Sequence, residues 1–464
     1  MKVCVYTLGC RLNQCESEAI ADAFSKRDFS VVSDGVPADL YIVNTCTVTS
    51  KAEQKARRMI RKYAGEPQAP TVVVTGCYAQ LDSDEIAALD NRVVVIPLVK
   101  KANMLDLPEY VSARLVEGFS LAEACSSFAG LDGDALAALH IDSASQYGAS
   151  ENEALKNDIA SPFDYDAATF SYHCRAYLKV QDGCDNACAF CRVHVARGGA
   201  VSLDSAEVVR RALALERQGF HEIVLTGVNL TMYDHRNDGL GGLLRQLLSA
   251  LGQDIRVRLS SLEPDHVDDL LLDQLADPRM QPHFHVPVQS ASDIVLARVN
   301  RRYSVEHLAH VVGRMRQVKD DPFIAADVIT GLPAEGDAEF QETYEFFVKN
   351  QFARMHVFPF SPRPDTPLYQ AKDRVPESVR DERAATLRAL SNRLHDDYVR
   401  RQRDKTLEVI LEQQKKGSWY GLTGNYLKVR VLDVPASAQA GDLASVTMEP
   451  SKEGLVIPQV RVIR

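Results

Sequence analysis

Three cysteines mark the middle of the chain. In GCDNACAFC, residues 183–191, Cys184, Cys188 and Cys191 follow the spacing CxxxCxxC, and no fourth cysteine or histidine pair closes the set nearby. His194 is the one candidate for a tight fourth ligand. Structural zinc takes four closed ligands, whereas an iron–sulfur cubane takes thiolates on each of its four irons. Three thiolates leave one iron open, and S-adenosylmethionine (SAM) can chelate it through its amino and carboxylate groups. An electron from the cluster then cleaves the sulfonium C–S bond and releases a 5′-deoxyadenosyl radical. The cofactor carries that chemistry while the protein orients it and keeps water out. The rival readings are a zinc site or buried core cysteines. Placement directly after a strand, with Phe190 before the last cysteine, favours the open cluster.

A second set lies near the N-terminus. Cys10, Cys46 and Cys77 end the stretches TLGC, VNTC and VTGC, each an apolar run closed by a small-residue turn. The C-terminal ends of parallel strands share one edge, so three such cysteines can converge although far apart in sequence. One alone would read as a small core residue. Three at equivalent strand ends favour a further metal centre. Cys15 is a rival ligand, but it falls in a helix start. Cys4, Cys125 and Cys174 read as core or incidental.

Strands must hold both sets. KVCVYTL, DLYIVNT and TVVVTG alternate with the helical patterns CESEAIADAF and SKAEQKARRMIRKYAG. This predicts a parallel α/β domain over residues 1–117. Ser50 and Glu53 have capping-box spacing. Residues 118–171 are rich in Ala, Ser, Asp and Gly and read as a linker or insertion. Over 172–402 six strand candidates, CRAYLKVQ, HEIVLTGV, IRVRLSSL, HFHVPVQ, FIAADVITG and RMHVFPF, alternate with helices, which predicts a partial or complete (β/α) barrel. A long charged helix then leads into β-branched runs over 403–464, predicted as a small antiparallel β-barrel.

The bulk properties bound the function. A chain of 464 residues implies two to four domains. A net charge of −10 means that any nucleic-acid contact needs a local basic patch. No apolar run has membrane-spanning length, and MKVCVYTLGC lacks a signal-peptide core, so a cytoplasmic protein without a membrane partner is expected. Ten cysteines in a reducing compartment point to metal or redox chemistry.

Barrel sites sit at strand C-terminal ends. That singles out Gly227 and Asn229 in LTGVN, Ser260 and Glu263, Gln289, and Gly331 with Pro333 as SAM or substrate contacts, with Gly227 allowing close backbone approach. Turn formation or packing is the alternative for each. The helix SKAEQKARRMIRKY carries Arg57, Arg58 and Arg61 in the densest basic patch, read as an RNA contact or a solvated face. From residue 400 on, eleven Lys or Arg oppose seven Asp or Glu. There Trp419, Tyr420 and Tyr426 stand beside Lys428 and Arg430, a combination suited to stacking and phosphate contacts; aromatics filling the barrel core are the alternative.

Several motifs together resemble the radical-SAM methylthiotransferases: RAYLKVQDGCDNACAFC with ARG at 196–198, then LTGVN, RLSSLEP, HVPVQS with NRRY, DVITGLP and FPFSPRPDT, in the family's order. The resemblance covers nearly the whole chain apart from the insertion. It implies an N-terminal domain whose three cysteines hold a second [4Fe–4S] cluster, the route by which sulfur reaches the substrate. It also implies a radical-SAM barrel using SAM and a C-terminal TRAM-like RNA-binding barrel. GCRLNQCESE, NTCTVTSKAEQKAR, LTGVNL and HVFPFSPR look most like the branch making 2-methylthio-threonylcarbamoyladenosine in tRNA. Branches acting on isopentenyladenosine in tRNA or on a ribosomal-protein aspartate are the runners-up, and a non-catalytic RNA-binding protein with structural metal is the rival from another class. Expected partners are tRNA and an electron donor such as flavodoxin or ferredoxin; the sulfur donor stays open. The chain departs from the family at His194, where proline is usual, and at Ala291, Ala334 and Asp365, where glycine is usual. Alanine tolerates a left-handed backbone less well than Asp.

Overall fold

The computed structural model describes residues 1–132, 135, 161–165, 174–448 and 457–462. The chain forms two compact units, Met1–Tyr172 with Cys191–Gly198, and His173–Phe190 with Gly199–Arg464.

The first unit is built on a parallel sheet of β1 (Lys2–Thr7), β2 (Ser30–Val32), β3 (Leu40–Thr45), β4 (Thr71–Gly76) and β5 (Val93–Val95) in the order β2-β1-β3-β4-β5. Both faces are covered, so β3 and β4 are buried at every residue, as parallel sheets require. Val3, Ile42 and Val73 pack on one face with Phe24 and Phe128. Tyr41, Val43 and Val74 pack on the other with Ile60 and Tyr63. The short edge strands β2 and β5 go beyond the three runs expected from sequence. The helix Leu121–Ala129 opens on a Ser120–Glu123 capping box and seats Phe128 in the core. The start of the expected 118–171 insertion is therefore ordered packing, and most of the remainder lies outside the described residues. The helix Ser50–Ala64 is capped by Thr49, whose hydroxyl accepts from Ala52 N. The Ser50 capping box does not form, because Glu53 is taken by Thr47 Oγ1 at 2.6 Å and Arg192 at 3.2 Å.

The second unit carries β6 (Ala176–Lys179), β7 (Gln181–Asp182), β8 (Val201–Ser202), β9 (Glu222–Thr226), β10 (Arg256–Leu259), β11 (His283–Gln289), β12 (Phe323–Thr330) and β13 (Arg354–Pro359). Parallel ladders order six of them as β10-β9-β6 and β11-β12-β13. Leu262 N donates to His285 O at 2.8 Å between β10 and β11. No ladder among the described residues joins β13 to β6, so the barrel is partial.

The tail forms a closed barrel of β14 (Thr406–Lys415), β15 (Ser418–Thr423), β16 (Lys428–Leu432), β17 (Leu443–Met448) and β18 (Gln459–Val462), ordered β14-β15-β16-β18-β17. It is not wholly antiparallel, since β16 and β18 run parallel. Its core includes Phe323, Ala325 and Tyr398 from outside the barrel. Buried Arg258 joins Glu222 at 2.7 Å and donates to Gly424 O at 3.0 Å. Arg256 forks onto Glu408 with both bonds at 2.6 Å. No helix of the described residues is long and apolar enough to cross a membrane.

Candidate iron–sulfur and S-adenosylmethionine sites

Cys46 and Cys77 directly follow β3 and β4, and Cys10 comes just past the end of the adjacent β1, after Leu8 and Gly9. The order 2-1-3-4-5 reverses direction between β1 and β3, and the crevice at such a switch point is where open α/β sheets bind ligands. Two glycines make the convergence. Gly9 has φ +100°, and a Cβ there would lie 2.7 Å from Cys46 Cβ and 2.9 Å from its sulfur. Gly76 has φ +98°, and a Cβ would meet Thr45 O at 2.4 Å. Thr45 Oγ1 donates to Thr75 O at 2.6 Å and accepts from Ala79 N, tying β3 to the turn that carries Cys77. Cys10 is the N-cap residue of the helix Arg11–Ser25, while Cys15 is buried inside that helix.

A buried polar shell surrounds this edge. Asn13 donates to Leu8 O at 2.8 Å and Thr45 O at 3.0 Å. Asn44 bonds Asn13 O and Ser17 Oγ, each at 3.0 Å, and accepts from Lys101 Nζ at 2.8 Å. Lys101 pairs with Glu16. Arg197 donates to Cys77 Sγ at 3.2 Å, Asn13 Oδ1 at 2.9 Å and Glu16 Oε1 at 3.2 Å. Arg197 and Lys101 thus share one buried carboxylate beside the thiols, and burial pulls the Lys101 ammonium below its ordinary pKa. The Arg197 guanidinium is the group placed to face an anionic thiolate-ligated centre. Burial, and then the neighbouring Cys10, push the Cys46 thiol up to about 12, so a metal must displace its proton on binding. The ARG stretch was visible as a motif; that its arginine reaches Cys77 was not, and neither were the roles of Asn13, Glu16, Asn44 and Lys101.

In the second unit Cys184 and Cys188 follow β7. Asn229 Nδ2 approaches Cys184 Sγ at 3.8 Å, and its own N–H donates to Gln181 Oε1 at 2.9 Å. Gly227 is needed for Gln181, because a Cβ there would stand 2.6 Å from Gln181 Oε1. Ala189 N donates to Val299 O and Leu368 N to Ala189 O, pinning the loop from two sides. Phe190 packs with Val295 and Leu332, under the Arg301 guanidinium at 5.9 Å. Arg301 bonds Glu263 at 2.5 Å. Burial pushes the Glu263 carboxyl above its ordinary value against the pull of Arg301.

The other expected residues are placed as follows. Ser260 Oγ is buried with no hydrogen-bond partner among the described residues. Gln289 is buried at φ +63°, beside a break in the β11–β12 register. Gly331 N donates to Glu335 Oε1 at 2.8 Å in the turn after β12, and Pro333 is buried there. Cys191 lies in the stretch belonging to the first unit and accepts from Val193 N at 3.4 Å. Next to it, Arg192 forks onto Asp82 at 2.5 and 3.0 Å. His194 Nδ1 is buried with no hydrogen-bond partner among the described residues. Ala291 avoids positive φ, whereas Ala334 sits at φ 72° and Asp365 at φ 62°.

Among the described residues, one trio of His, Cys, Asp or Glu brings its ligand atoms within 4.8 Å of one another: His285, Asp327 and His356. Of the basic residues, Arg58, Arg61 and Lys428 are exposed. Arg57 is held by Tyr78 at 2.6 Å and Glu85 at 3.3 Å. Trp419 and Arg430 line one cleft on the C-terminal barrel. Tyr426 is covered by His283, 4.1 Å between rings, and by Arg258 at 5.2 Å.

Residues 2–97 match the family model described as uncharacterized protein family UPF0004, and residues 178–347 match the radical SAM superfamily. A threonylcarbamoyladenosine tRNA methylthiotransferase MtaB of Treponema pallidum (strain Nichols) is 36% identical over 94% of this chain and 96% of its own. The chain belongs to the radical-SAM methylthiotransferases. It is thus an enzyme, a transferase with an iron–sulfur cluster and SAM. The Thermotoga maritima MtaB is 32% identical over 97% of this methylthiotransferase and 95% of its own chain. The tRNA-2-methylthio-N(6)-dimethylallyladenosine synthase of Endomicrobium trichonymphae is 29% identical over 92% and 93%. Among solved structures, the radical S-adenosylmethionine methyltransferase TsrM of Kitasatospora setae shares the fold, with TM-score 0.51 at 14% identity over 79% of this chain and 77% of that one.

Proposed function

We propose that this enzyme is a tRNA methylthiotransferase that makes 2-methylthio-threonylcarbamoyladenosine next to the anticodon, using two [4Fe–4S] clusters. The observation that carries this reading is the placement of Cys10, Cys46 and Cys77 past the ends of three adjacent strands of one sheet, in a chain that also holds a radical-SAM CxxxCxxC loop. Full-length relatives named for the threonylcarbamoyl product support the choice of nucleoside.

Cys184, Cys188 and Cys191 would hold the cluster, which together with SAM would supply radical chemistry for the substrate carbon. The protein's own residues prepare that site. Asn229 steadies Cys184, Phe190 and Arg301 wall the loop, and the Arg301–Glu263 pair keeps charge fixed in a water-poor pocket. Ser260, Gln289, Gly331 and Pro333 stand at the strand ends where SAM would lie. In the first unit Arg197 and Asn13 hold the thiol edge from which sulfur would be delivered. Arg58, Arg61 and Lys428 offer exposed charge to RNA phosphates, and Trp419 and Arg430 a cleft for a base. A flavodoxin- or ferredoxin-like donor would supply electrons, and a tRNA substrate sets the reaction in the cytoplasm.

Reconstituted enzyme should hold about eight irons per chain. It should methylthiolate tRNA bearing the threonylcarbamoyl group and ignore tRNA lacking it. Turnover of isopentenylated tRNA or of a ribosomal protein, with none on threonylcarbamoylated tRNA, would overturn the nucleoside assignment.

A further inference from the structure

His285, Asp327 and His356 come from three neighbouring strands, β11, β12 and β13. Asp327 and His356 are direct cross-strand partners, and His285 pairs with Ala325, two residues before Asp327. Side chains alternate across a strand, so the three share one face. Their sequence neighbours face the other way and are packed: Phe284, Val286, Ala326, Val328 and Met355 are all at most 4% exposed. The trio's own face is open. His285 and Asp327 are partly exposed and His356 is exposed.

The trio is preorganised. His285 Nε2 and Asp327 Oδ1 stand 3.0 Å apart, and the His285 and His356 rings lie 5.8 Å apart. Burial works against ionising Asp327, but His285, His356 and Arg301 outweigh it and hold its carboxyl below the ordinary value. Arg301 is the same residue that covers Phe190 and bonds Glu263. Arg301 thus lies within electrostatic reach of Asp327 and also sits over the radical-SAM loop. Arg354 and Phe358 flank His356 at two residues on either side, on the same face of β13, and both are exposed. Phe358 lies toward the C-terminal end, nearer the expected position of SAM.

We propose that His285, Asp327, His356 and Arg354 read the amino-acid group carried by the substrate base. This rests on the threonylcarbamoyl reading given above. Arg354 and the imidazoles donate to the carboxylate of that group, Asp327 accepts from its hydroxyl or N–H, and the base lies over Phe358 nearer the reacting carbon. A mixed set of donors and acceptors fits a polar, anionic substituent. An isopentenyl group offers no polar atom to any of them, which is the costly case. Two imidazoles and a carboxylate are also a ligand set for a divalent ion, and metal analysis separates the two.

The experiment compares reconstituted wild type with R354A, H356F and D327N on two tRNAs, one bearing the threonylcarbamoyl group and one with its carboxylate methyl-esterified. Wild type should prefer the free acid by about tenfold or more in kcat/KM, as a lost charge-assisted bond implies. R354A and H356F should act on the ester nearly as wild type does and lose the preference through a raised KM. D327N should weaken both substrates. Iron content and thermal midpoint identify any variant that has merely misfolded; H356N, of smaller volume, then takes its place. Equal wild-type rates on acid and ester would overturn the proposal while leaving the nucleoside assignment standing. Inactivity on both would remove that assignment and this one with it. A stoichiometric non-iron metal in wild type, lost in H356F, would replace it with a metal site.

Discussion

Arg197 Nε lies 3.2 Å from Cys77 Sγ, joining the stretch after the CxxxCxxC loop to the thiol edge of the N-terminal sheet. The guanidinium is 1% exposed and shares Glu16 with Lys101. An N–H bond to a ligating sulfur tunes the potential of a cluster. Arg197→Met should cost about 3 kcal/mol, as loss of a buried ion-pair partner does, and should shift the reduction potential of the N-terminal cluster in spectroscopic titration. Arg197→Lys should recover part of the stability but not the potential, because the planar fork is gone. An unchanged potential in both variants would remove Arg197 from the cluster's surroundings.

The two cysteine sets should separate cleanly. Replacing Cys10, Cys46 and Cys77 with Ala should remove about four irons and abolish methylthiolation, while reductive cleavage of SAM persists. Replacing Cys184, Cys188 and Cys191 should remove the other half and stop that cleavage. Iron assay and 5′-deoxyadenosine yield check both.

Ala334 sits at φ 72° in the turn after β12. A left-handed alanine is strained, and glycine removes the clash while adding entropy to the unfolded chain. Ala334→Gly should therefore stabilise the protein by about 0.5–1 kcal/mol. The thermal midpoint measures it; a lower midpoint would mean that the turn is unstrained.

Glu222 and Arg258 form a buried pair, 2.7 Å apart, that holds the C-terminal barrel through Gly424 O. Burial alone would raise the Glu222 pKa; Arg258 and then Arg175 overcome it and bring it below the ordinary 4.5. A carboxyl depressed in the folded state stabilises above its unfolded pKa, and that contribution is lost as pH falls through the folded value. Urea midpoints should drop in acid more steeply for wild type than for a Glu222→Gln, Arg258→Met double variant. Arg258→Met alone should cost about 3 kcal/mol, because it leaves buried Glu222 with only the 3.9 Å contact to Arg175 and the amide of Gln281.

RNA contact should track exposed charge. Arg58→Glu, Arg61→Glu and Lys428→Glu should each weaken tRNA binding and flatten its salt dependence by about one unit of slope per lost phosphate contact. Tyr426→Ala should lower stability and leave the salt slope alone, since its ring is stacked on His283 and Arg258. Deleting the whole barrel would confuse these effects, because Phe323, Ala325 and Tyr398 share its core.

Local spacing was enough to make both cysteine sets legible. CxxxCxxC is a contiguous signature, and Cys10, Cys46 and Cys77 each close an apolar run, so strand periodicity placed them at one sheet edge. The parallel α/β alternation and the β-rich tail were readable for the same reason: side-chain period and turn residues are properties of short segments. What segments cannot encode is which distant groups meet. Arg197 finds Cys77 across 120 residues, and Arg258 finds the carbonyl of Gly424 across 166. His285, Asp327 and His356 had no motif of their own; the register of β11, β12 and β13 put them on one open face. Tyr426 resembled an RNA platform until packing against His283 covered it. Such pairings are decided by strand order and burial, because a buried charge or ring is stable only beside the partner that the completed fold supplies.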